Sequence, residues 1–361
     1  MKLPTLLLCL GVVYSANVCA EDTVKSQFSA VYQQYLDAIQ SSENAQHYAQ
    51  QAYYLGKKFY GDSSDNTANL AVNYANTLKG KSAELKKQRF ELYEYAYNTL
   101  LANHSSTSLE TIDALIGMAD NTLSPREAAN YYEQVIEAAK QQKQPKLVAD
   151  MQFIAAQGLA YNYQGDKYRT ALNYLNEADE YYTKNLPENS VSRIKADFLM
   201  AAFLQGKRQY DEAITRLNRV VNVFDKALSF DHDAELSAHS KLIYLYEKTG
   251  NSDEATKHCI AIAKMVPWKG NQDLTPLYRQ EPKYPRRKAE KRQGGFVQME
   301  FDITPSGFVD NIKVINSSKA GSAFEKEAIK AIEKWRYAPK FEDGKAVTAS
   351  TKVQLDFKIG R

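Results

Sequence analysis

Cysteine and histidine are scarce in this sequence, with three cysteines and five histidines among 361 residues. Cys9 and Cys19 both lie within the first twenty residues, so a chain without that segment keeps Cys259 as its single thiol. Such a chain cannot form an internal disulfide, which excludes the class of secreted proteins that disulfides hold together.

The sequence also lacks a large excess of charge of one sign and long apolar runs. Lys and Arg total 46 and Asp and Glu total 43, so the formal net charge is only +3. A net charge so close to zero creates no field that would demand a nucleic-acid partner. After residue 20 no apolar run reaches the roughly twenty residues that a membrane helix needs. We therefore expect no nucleic-acid partner and a mature chain that is soluble.

The N-terminal segment has the pattern of a secretory signal peptide. Lys2 supplies a positive start, residues 3–14 form a short apolar run, and residues 18–20 offer a small-residue cleavage site. The apolar run is too short for a membrane span, so an uncleaved anchor is the minor alternative. Lipidation at Cys19 is another alternative, which the larger residues before it do not favour. We expect residues 1–20 to be cleaved and the mature protein to lie in the periplasm.

Residues 23–265 contain few prolines and glycines, and their apolar residues recur at spacings of three and four. This period is typical of amphipathic helices with one buried face. Two such stripes are Phe28, Val31, Tyr35 and Ile39, and Tyr93, Ala96, Tyr97 and Leu100. The pattern predicts about twelve helices whose short connections force them into antiparallel pairs. The aromatic residues of the stripes are expected to pack in the core rather than to line a groove.

An internal repeat is visible in the second half of this helical region. Four alanines stand 42 residues apart, namely Ala129, Ala171, Ala213 and Ala255. The last three follow a turn that contains glycine. This arrangement resembles the tetratricopeptide repeat, in which a small residue lets two paired helices approach closely, although that repeat is shorter, at about 34 residues. The resemblance implies a helical solenoid whose concave face binds extended or helical peptides.

The C-terminal part of the sequence changes to a period of two. Its first alternating apolar residues are Val297, Met299, Phe301 and Ile303. This alternation predicts a strand with one buried face. Residues 305–307, Pro-Ser-Gly, are typical of a turn, and a second strand over about residues 308–315 would fold back as a hairpin.

A helix and a last strand follow the predicted hairpin. The apolar stripe of the helix is Phe324, Ala328, Ala331, Ile332 and Trp335. Pro339 would stop this helix. The last strand lies in residues 351–359 and has Val353, Leu355, Phe357 and Ile359 on one face. These elements predict a small α+β domain with a three-stranded antiparallel sheet under a covering helix.

Four motifs of this region stand in the order found in a known domain. They are Pro-Lys-Tyr-Pro at 282–285, the strand and turn at 295–307, Trp-Arg-Tyr-Ala-Pro at 335–339 and the alternating strand at 353–357. Together they resemble the periplasmic C-terminal domain of the TonB energy-transducer family. A transducer of that type normally has an N-terminal membrane helix and a long proline-rich spacer before this domain, and neither pattern occurs here.

The chain is thus expected to consist of four parts. These are a signal peptide at 1–20, a TPR-like α-helical repeat domain at 21–266, a linker at 267–278 and a TonB C-terminal-like domain at 279–361. The expected fold class is an α-helical solenoid followed by a small α+β domain of the TonB C-terminal type.

The last strand is the main candidate for a functional site. If it lies at the edge of the sheet, its unpaired backbone groups can accept an extended peptide as a further strand. In the TonB family such an edge captures the TonB box, a short segment of an outer-membrane transporter. The resemblance implies partner-binding roles for Arg279, Glu281, Tyr284, Pro285, Arg287, Val353, Gln354, Leu355, Asp356 and Phe357. The alternative is that the charged members of this set are only solvated surface residues.

Residues 286–292 depart from the family pattern because they are strongly basic and lack a large apolar residue. Lys288 stands where an alanine is expected. A solvated face is the simpler interpretation, and an anionic partner such as lipid head groups is the alternative.

Catalytic and metal sites are not indicated. His258 and Cys259 are adjacent on a helix and point about 100° apart, so they cannot act as a base and nucleophile pair. Residues 231–233, Asp-His-Asp, could be combined with Glu235 and His239, but they match no closed zinc pattern. The glycines form no phosphate-binding loop. We therefore expect no enzyme activity, no cofactor, no metal and no small-molecule substrate.

Two functions remain open from the sequence. The first is a periplasmic protein that binds TonB-box segments of outer-membrane transporters by strand addition and assists energy-coupled uptake, such as that of siderophore iron. It would act with a membrane-anchored TonB/ExbB/ExbD complex. The alternative is a periplasmic scaffold that uses its repeats and the small domain for other cell-envelope proteins.

Overall fold

The computed structural model describes residues 10–41, 43–163, 165, 167–227, 233–266, 268, 274–318 and 322–359. The chain groups into two compact units, Met1–Asn185 and Leu186–Arg361. The units divide inside the predicted helical domain, and the predicted domain boundaries stay predictions. The predicted signal peptide extends beyond the described residues, so its cleavage also stays a prediction.

The described part of the first unit consists of α-helices joined by short turns. They are α1 Leu10–Gln40, α2 Gln46–Tyr60, α3 Asp65–Thr77, α4 Ala83–Asn103, α5 Leu109–Asn121, α6 Pro125–Gln141, α7 Pro145–Asn162 and α8 Tyr168–Asn185. Consecutive helices pack against each other. Serine starts several of them, because the hydroxyls of Ser64, Ser82 and Ser124 accept hydrogen bonds from the first turns of α3, α4 and α6. The predicted helix pairs are confirmed.

Small residues fill the close contacts between helices. Ala171, Ala213 and Ala255 have no exposed surface, as the repeat predicts. Ala129 is only partly buried, and its neighbour Ala128 is fully buried instead. The 42-residue spacing therefore marks buried alanines in three of its four positions.

The second unit contains four long helices followed by the sheet domain. Its elements are α9 Val191–Gly206, α10 Tyr210–Ala227, α11 Asp233–Thr249, α12 Ser252–Met265, α13 Arg286–Glu290, β1 Gly295–Ile303, β2 Val309–Ser317, α14 Ser322–Ile332, β3 Lys340–Glu342, β4 Lys345–Val347 and β5 Ala349–Phe357. The order of these elements confirms the predicted fold class, helical pairs followed by a small α+β domain.

β1, β2 and β5 form one antiparallel sheet in the order β2-β1-β5. β5 pairs with β1 in a single register, whereas β2 pairs with β1 with two register shifts. The β1–β2 turn depends on Gly307, which has φ of +77° and lies against the Tyr337 carbonyl, where a Cβ would clash.

Helix α14 covers the apolar face of this sheet. The buried cluster is Val297, Met299, Phe301, Ile303, Phe324, Ala328, Ile332, Trp335, Tyr337, Leu355 and Phe357. Two expectations differ from the structure. The helix ends at Ile332, so Trp335 enters the core from the turn that follows. Ile359 lies beyond β5 and is 40% exposed, because the strand ends two residues earlier.

A short hairpin, β3–β4, was not predicted. Its strands have three residues each, which is too short for an alternating pattern to be recognised. Its turn is Asp343-Gly344, and both residues have positive φ, at 49° and 76°. An Asp-Gly pair is typical of such hairpin turns, so this dipeptide was the signal available in the sequence.

Candidate partner-binding edge of the C-terminal sheet

β5 is an edge strand, as the functional hypothesis required. Among the described residues it pairs with β1 on one side and with no strand on the other. Its side chains alternate: Leu355 and Phe357 are buried, while Gln354 and Asp356 are exposed. An added strand would therefore lie beside backbone groups and next to the polar side chains of the solvent face.

The direction of the backbone groups follows from the pairing of β1. The N–H of Ser318 donates to the carbonyl of Phe296 on the β2 side. Because backbone groups alternate sides along a strand, the odd-numbered residues of β1 face β5. In the observed register odd residues pair with odd residues. The β5 residues whose N–H and C=O groups point to the open edge are therefore Ser350, Lys352, Gln354 and Asp356.

Polar side chains link β5 to β1 across the solvent face. The pairs are Gln298 with Gln354 at 2.8 Å, Glu300 with Lys352 at 3.5 Å and Asp302 with Ser350 at 2.5 Å. The Ser350 hydroxyl and, next, the Asn311 amide hold the pKa of the Asp302 carboxyl below its ordinary value. These contacts hold β5 in register from the side opposite the core.

Tyr284 connects the Pro-Lys-Tyr-Pro segment to the end of β5. Its ring meets those of Phe324 and Phe357 edge-on, with centroid distances of 5.7 and 5.8 Å. Its hydroxyl donates to the carbonyl of Gln293 at 2.8 Å. Tyr284 therefore packs the segment around Pro285 against the last strand, and its hydroxyl is already bonded within the domain.

Arg279 and Glu281 are placed differently from Tyr284. They form an ion pair with each other at 3.0 Å, and the Arg279 guanidinium lies 5.1 Å from the centre of the Trp335 ring. Arg279 therefore contacts Glu281 and Trp335 rather than β5. Arg287 is exposed on α13. The structure thus brings Tyr284 and Phe357 together but gives Arg279 and Glu281 no contact with the last strand among the described residues, and the predicted partner-binding roles stay predictions.

Arg336 is a residue whose importance the sequence did not show. Its side chain is 1% exposed and donates to Glu247 Oε1 on α11 at 2.5 Å and to Thr256 Oγ1 on α12 at 2.7 Å. It also donates to the carbonyl of Ser306 at 2.9 Å, and its guanidinium stacks 3.7 Å from the centre of the Phe308 ring. The sheet domain is therefore fastened to the α11–α12 hairpin through a buried charge. The signal was a single arginine between two buried aromatic residues, since a buried charge requires a partner.

His258 and Cys259 do not form a reactive pair. His258 lies with its Nδ1 2.7 Å from that of His239, and burial, with the charge of His239, lowers its pKa to about 4. Burial raises the pKa of the Cys259 thiol to about 11, so the thiol stays protonated.

No metal cluster is found in the described part of the chain, where no group of three or more His, Cys, Asp or Glu could hold an ion. Asp231 and His232, which the sequence suggested as members of such a group, lie outside the described residues. None of the helices described is both long and apolar enough to cross a membrane.

Comparison with known proteins bears on the sheet domain. Residues 280–359 match the family of the Gram-negative bacterial TonB protein C-terminal. The protein TonB of Escherichia coli K12 is 43% identical over 63 residues, which cover 18% of this chain and 26% of that protein. The chain spans about a quarter of the length of the curated relatives it matches.

Two solved structures are similar to portions of the chain. The solution structure of the Pseudomonas aeruginosa TonB CTD is 33% identical, covers 25% of this chain and 91% of its own, and has a TM-score of 0.23. The TPR-like repeats of a putative kinesin light chain from Podosopora anserina are 20% identical, cover 55% of this chain and 92% of their own, and have a TM-score of 0.44.

Proposed function

We propose that this protein captures an extended segment of an outer-membrane transporter as a fourth strand beside β5, and so assists energy-coupled uptake from the periplasm. The proposal rests on the open, regular edge of β5 in a domain that matches the TonB C-terminal family. It includes no catalytic step and no cofactor. A membrane-anchored transducer complex would be a further partner.

The energetics of strand addition favour a transient complex. Four residues of β5 offer backbone groups at the open edge, and each added hydrogen bond contributes a net ~0.5–1.5 kcal/mol. Association costs at least ~4 kcal/mol in lost freedom. Backbone pairing alone would therefore bind weakly, and side-chain contacts must supply the rest of the affinity.

The alternation of backbone groups allows a sharp test. Gln354→Pro removes an N–H that points to the open edge, whereas Gln354→Ala keeps that N–H and removes the same side chain. We expect Gln354→Pro to weaken binding of a fluorescent TonB-box peptide by the full chain about threefold or more, because one ladder bond is lost. Gln354→Ala should bind more tightly than Gln354→Pro, because it keeps the backbone N–H, as measured by fluorescence anisotropy.

Hydrogen exchange supplies the second readout. The bound peptide should slow amide exchange at Ser350, Lys352, Gln354 and Asp356, whose N–H groups point to the open edge, while leaving β2 unchanged. Absence of binding at millimolar peptide would contradict strand capture. The scaffold alternative, in which the helical repeats carry the partner surface, would then be the function to test.

A further inference from the structure

Two histidines face each other in the α11–α12 hairpin of the second unit. His239 on α11 and His258 on α12 place their Nδ1 atoms 2.7 Å apart, and His239 is only 5% exposed. A hydrogen bond between two ring nitrogens needs one donor and one acceptor, so at least one of these atoms presents a lone pair. Neutral imidazole nitrogens are the commonest metal ligands in proteins. The pair therefore places two ligand atoms within reach of one ion.

Both rings are held in place by their neighbours. The Tyr246 ring stacks on His258, with planes 12° apart and centroids 5.6 Å apart, and its hydroxyl accepts a hydrogen bond from Asn218 at 3.0 Å. The Glu235 carboxylate lies 3.9 Å from Nε2, the other ring nitrogen of His239. A histidine that binds a metal through one ring nitrogen commonly donates the N–H of the other to a carboxylate, which fixes its tautomer. His239 can therefore carry its proton on Nε2, beside Glu235, and keep Nδ1 free for an ion.

Both histidines line a polar cavity of about 490 Å³, which leaves room for water at the remaining ligand positions of an ion. Glu235 and Glu254 line this cavity together with Lys257 and Lys264, so its charges balance. Lys257 pairs with Glu254 at 2.5 Å. A cation would therefore be held by the two ring nitrogens and not by the charge of the cavity.

The distance between the two nitrogens favours an ion whose ligands stand at right angles. Metal–nitrogen bonds of about 2.0–2.1 Å place adjacent nitrogens about 2.9 Å apart at right angles and about 3.3 Å apart in the tetrahedral arrangement of Zn²⁺. The observed 2.7 Å would have to open by about 0.2 Å for the first geometry and by about 0.6 Å for the second. Cu²⁺ takes the tetragonal geometry and binds nitrogen ligands most tightly among the divalent first-row metals.

We propose that His239 and His258 bind one Cu²⁺ ion through their two Nδ1 atoms, with water at the other positions and with Glu235 orienting His239. The site lies outside the sheet domain and does not depend on strand capture. Because its two ligands come from α11 and α12, the bound ion would tie together the hairpin to which Arg336 fastens the sheet.

Titration of the full chain with Cu²⁺, in a buffer that does not bind copper, tests the proposal. We expect one tight site per chain whose electron paramagnetic resonance spectrum is tetragonal and shows coupling to two imidazole nitrogens. The ion should also raise the unfolding temperature, because it binds the folded arrangement more tightly than the unfolded chain. Absence of a saturable site up to about 1 mM Cu²⁺ would overturn the proposal. So would a site that lacks two coupled imidazole nitrogens, or one that leaves the unfolding temperature unchanged.

Three variants locate the ion. Glu235→Gln keeps both ligands but removes the orienting carboxylate, and should weaken Cu²⁺ binding about tenfold. His258→Asn removes a ligand and should weaken binding at least about 100-fold, the upper end of what loss of an orienting partner costs. His104→Asn is the matched control, because His104 is also beside a carboxylate, that of Asp65 at 2.7 Å, and it should leave binding unchanged.

The comparison among these variants decides where the copper lies. Unchanged affinity in His258→Asn, or an equal loss in His104→Asn, would assign the ion to another part of the chain and overturn the proposal. His258 is half-buried, so circular dichroism first checks that the metal-free variants are folded. If His258→Asn does not fold, the nitrogen coupling in the parent chain and the affinity of Glu235→Gln decide, and unchanged affinity in Glu235→Gln would then overturn the proposal.

Discussion

The two edges of the C-terminal sheet differ in regularity. β5 pairs with β1 through nine residue pairs in one register, whereas β2 has two register shifts and a residue, Asn311, with φ of +51°. Bulges twist an edge strand and are a common means by which proteins prevent further pairing. The comparison indicates that the same sheet is open to an added strand at β5 and blunted at β2.

The largest effect is expected for Leu355→Pro. The Leu355 N–H faces β1 and its side chain is 3% exposed, so the change removes a ladder bond and buried apolar contacts together. We expect a loss of more than about 4 kcal/mol in the free energy of unfolding, measured by urea denaturation. Gln354→Pro, one residue away, should cost about 1 kcal/mol because its N–H faces solvent. Equal costs would show that the assignment of backbone directions is reversed.

A matched pair of truncations compares apolar residues at the two edges. Phe357 is 4% exposed and packs on Phe324 with ring centroids 4.6 Å apart, so Phe357→Ala should cost about 3–4 kcal/mol. Ile315 on β2 is 50% exposed, and Ile315→Ala should cost less than about 1 kcal/mol. Thermal unfolding of the two variants checks the difference. A similar cost for Ile315→Ala would mean that something covers the β2 edge.

The Asp302 carboxylate on β1 is bonded to both edge strands. Its pKa therefore compares the contact with β5 and the contact with β2. Ser350 on β5 and Asn311 on β2 donate to its two carboxylate oxygens, and both lower its pKa below the ordinary 3.8. The two hydrogen bonds favour the ionised carboxylate. They therefore stabilise the fold at pH values above the ordinary pKa, and this stabilisation is lost as the pH falls through the lowered pKa. We expect Ser350→Ala to raise the pKa more than Asn311→Ala, measured by carboxyl NMR shifts. The reverse order would make the β2 contact the stronger one.

The smallest effect is expected for Ile315→Lys on peptide binding. The residue lies on the blunted edge and is half exposed, so the affinity should change by less than about 0.5 kcal/mol. Anisotropy with a TonB-box peptide measures it, and Gln354→Pro serves as the comparison at the open edge. A loss as large as that of Gln354→Pro would mean that partners also use β2.

Much of the sheet domain could be predicted because its signals are local. The alternation through Val297 and Phe301 predicted the buried face of β1, and Pro305-Ser306-Gly307 predicted the turn. The partner of β5 was harder to predict, because a third strand could pair with β1 or with β2 of the hairpin and would be an edge strand in either case. No residue pattern within β5 specifies that partner.

Contacts between distant residues could not be predicted at all. Arg336 and Glu247 are separated by 89 positions, and neither residue indicates its partner. Arg279 and Glu281 were selected through family resemblance, but they pair with each other, and Arg279 lies against Trp335. The basic run at 286–292 was visible as composition, but only the fold placed it beside the end of β5.

The buried charge of Arg336 has a mechanical consequence. A strand paired with β5 and pulled along its length would transmit tension through the sheet to the Trp335–Tyr337 segment, and from Arg336 to α11 and α12. Separating that contact would expose a guanidinium and a carboxylate that have lost each other, which is costly in a buried setting. Load on a strand captured at β5 would therefore be carried by the helices as well as by the sheet.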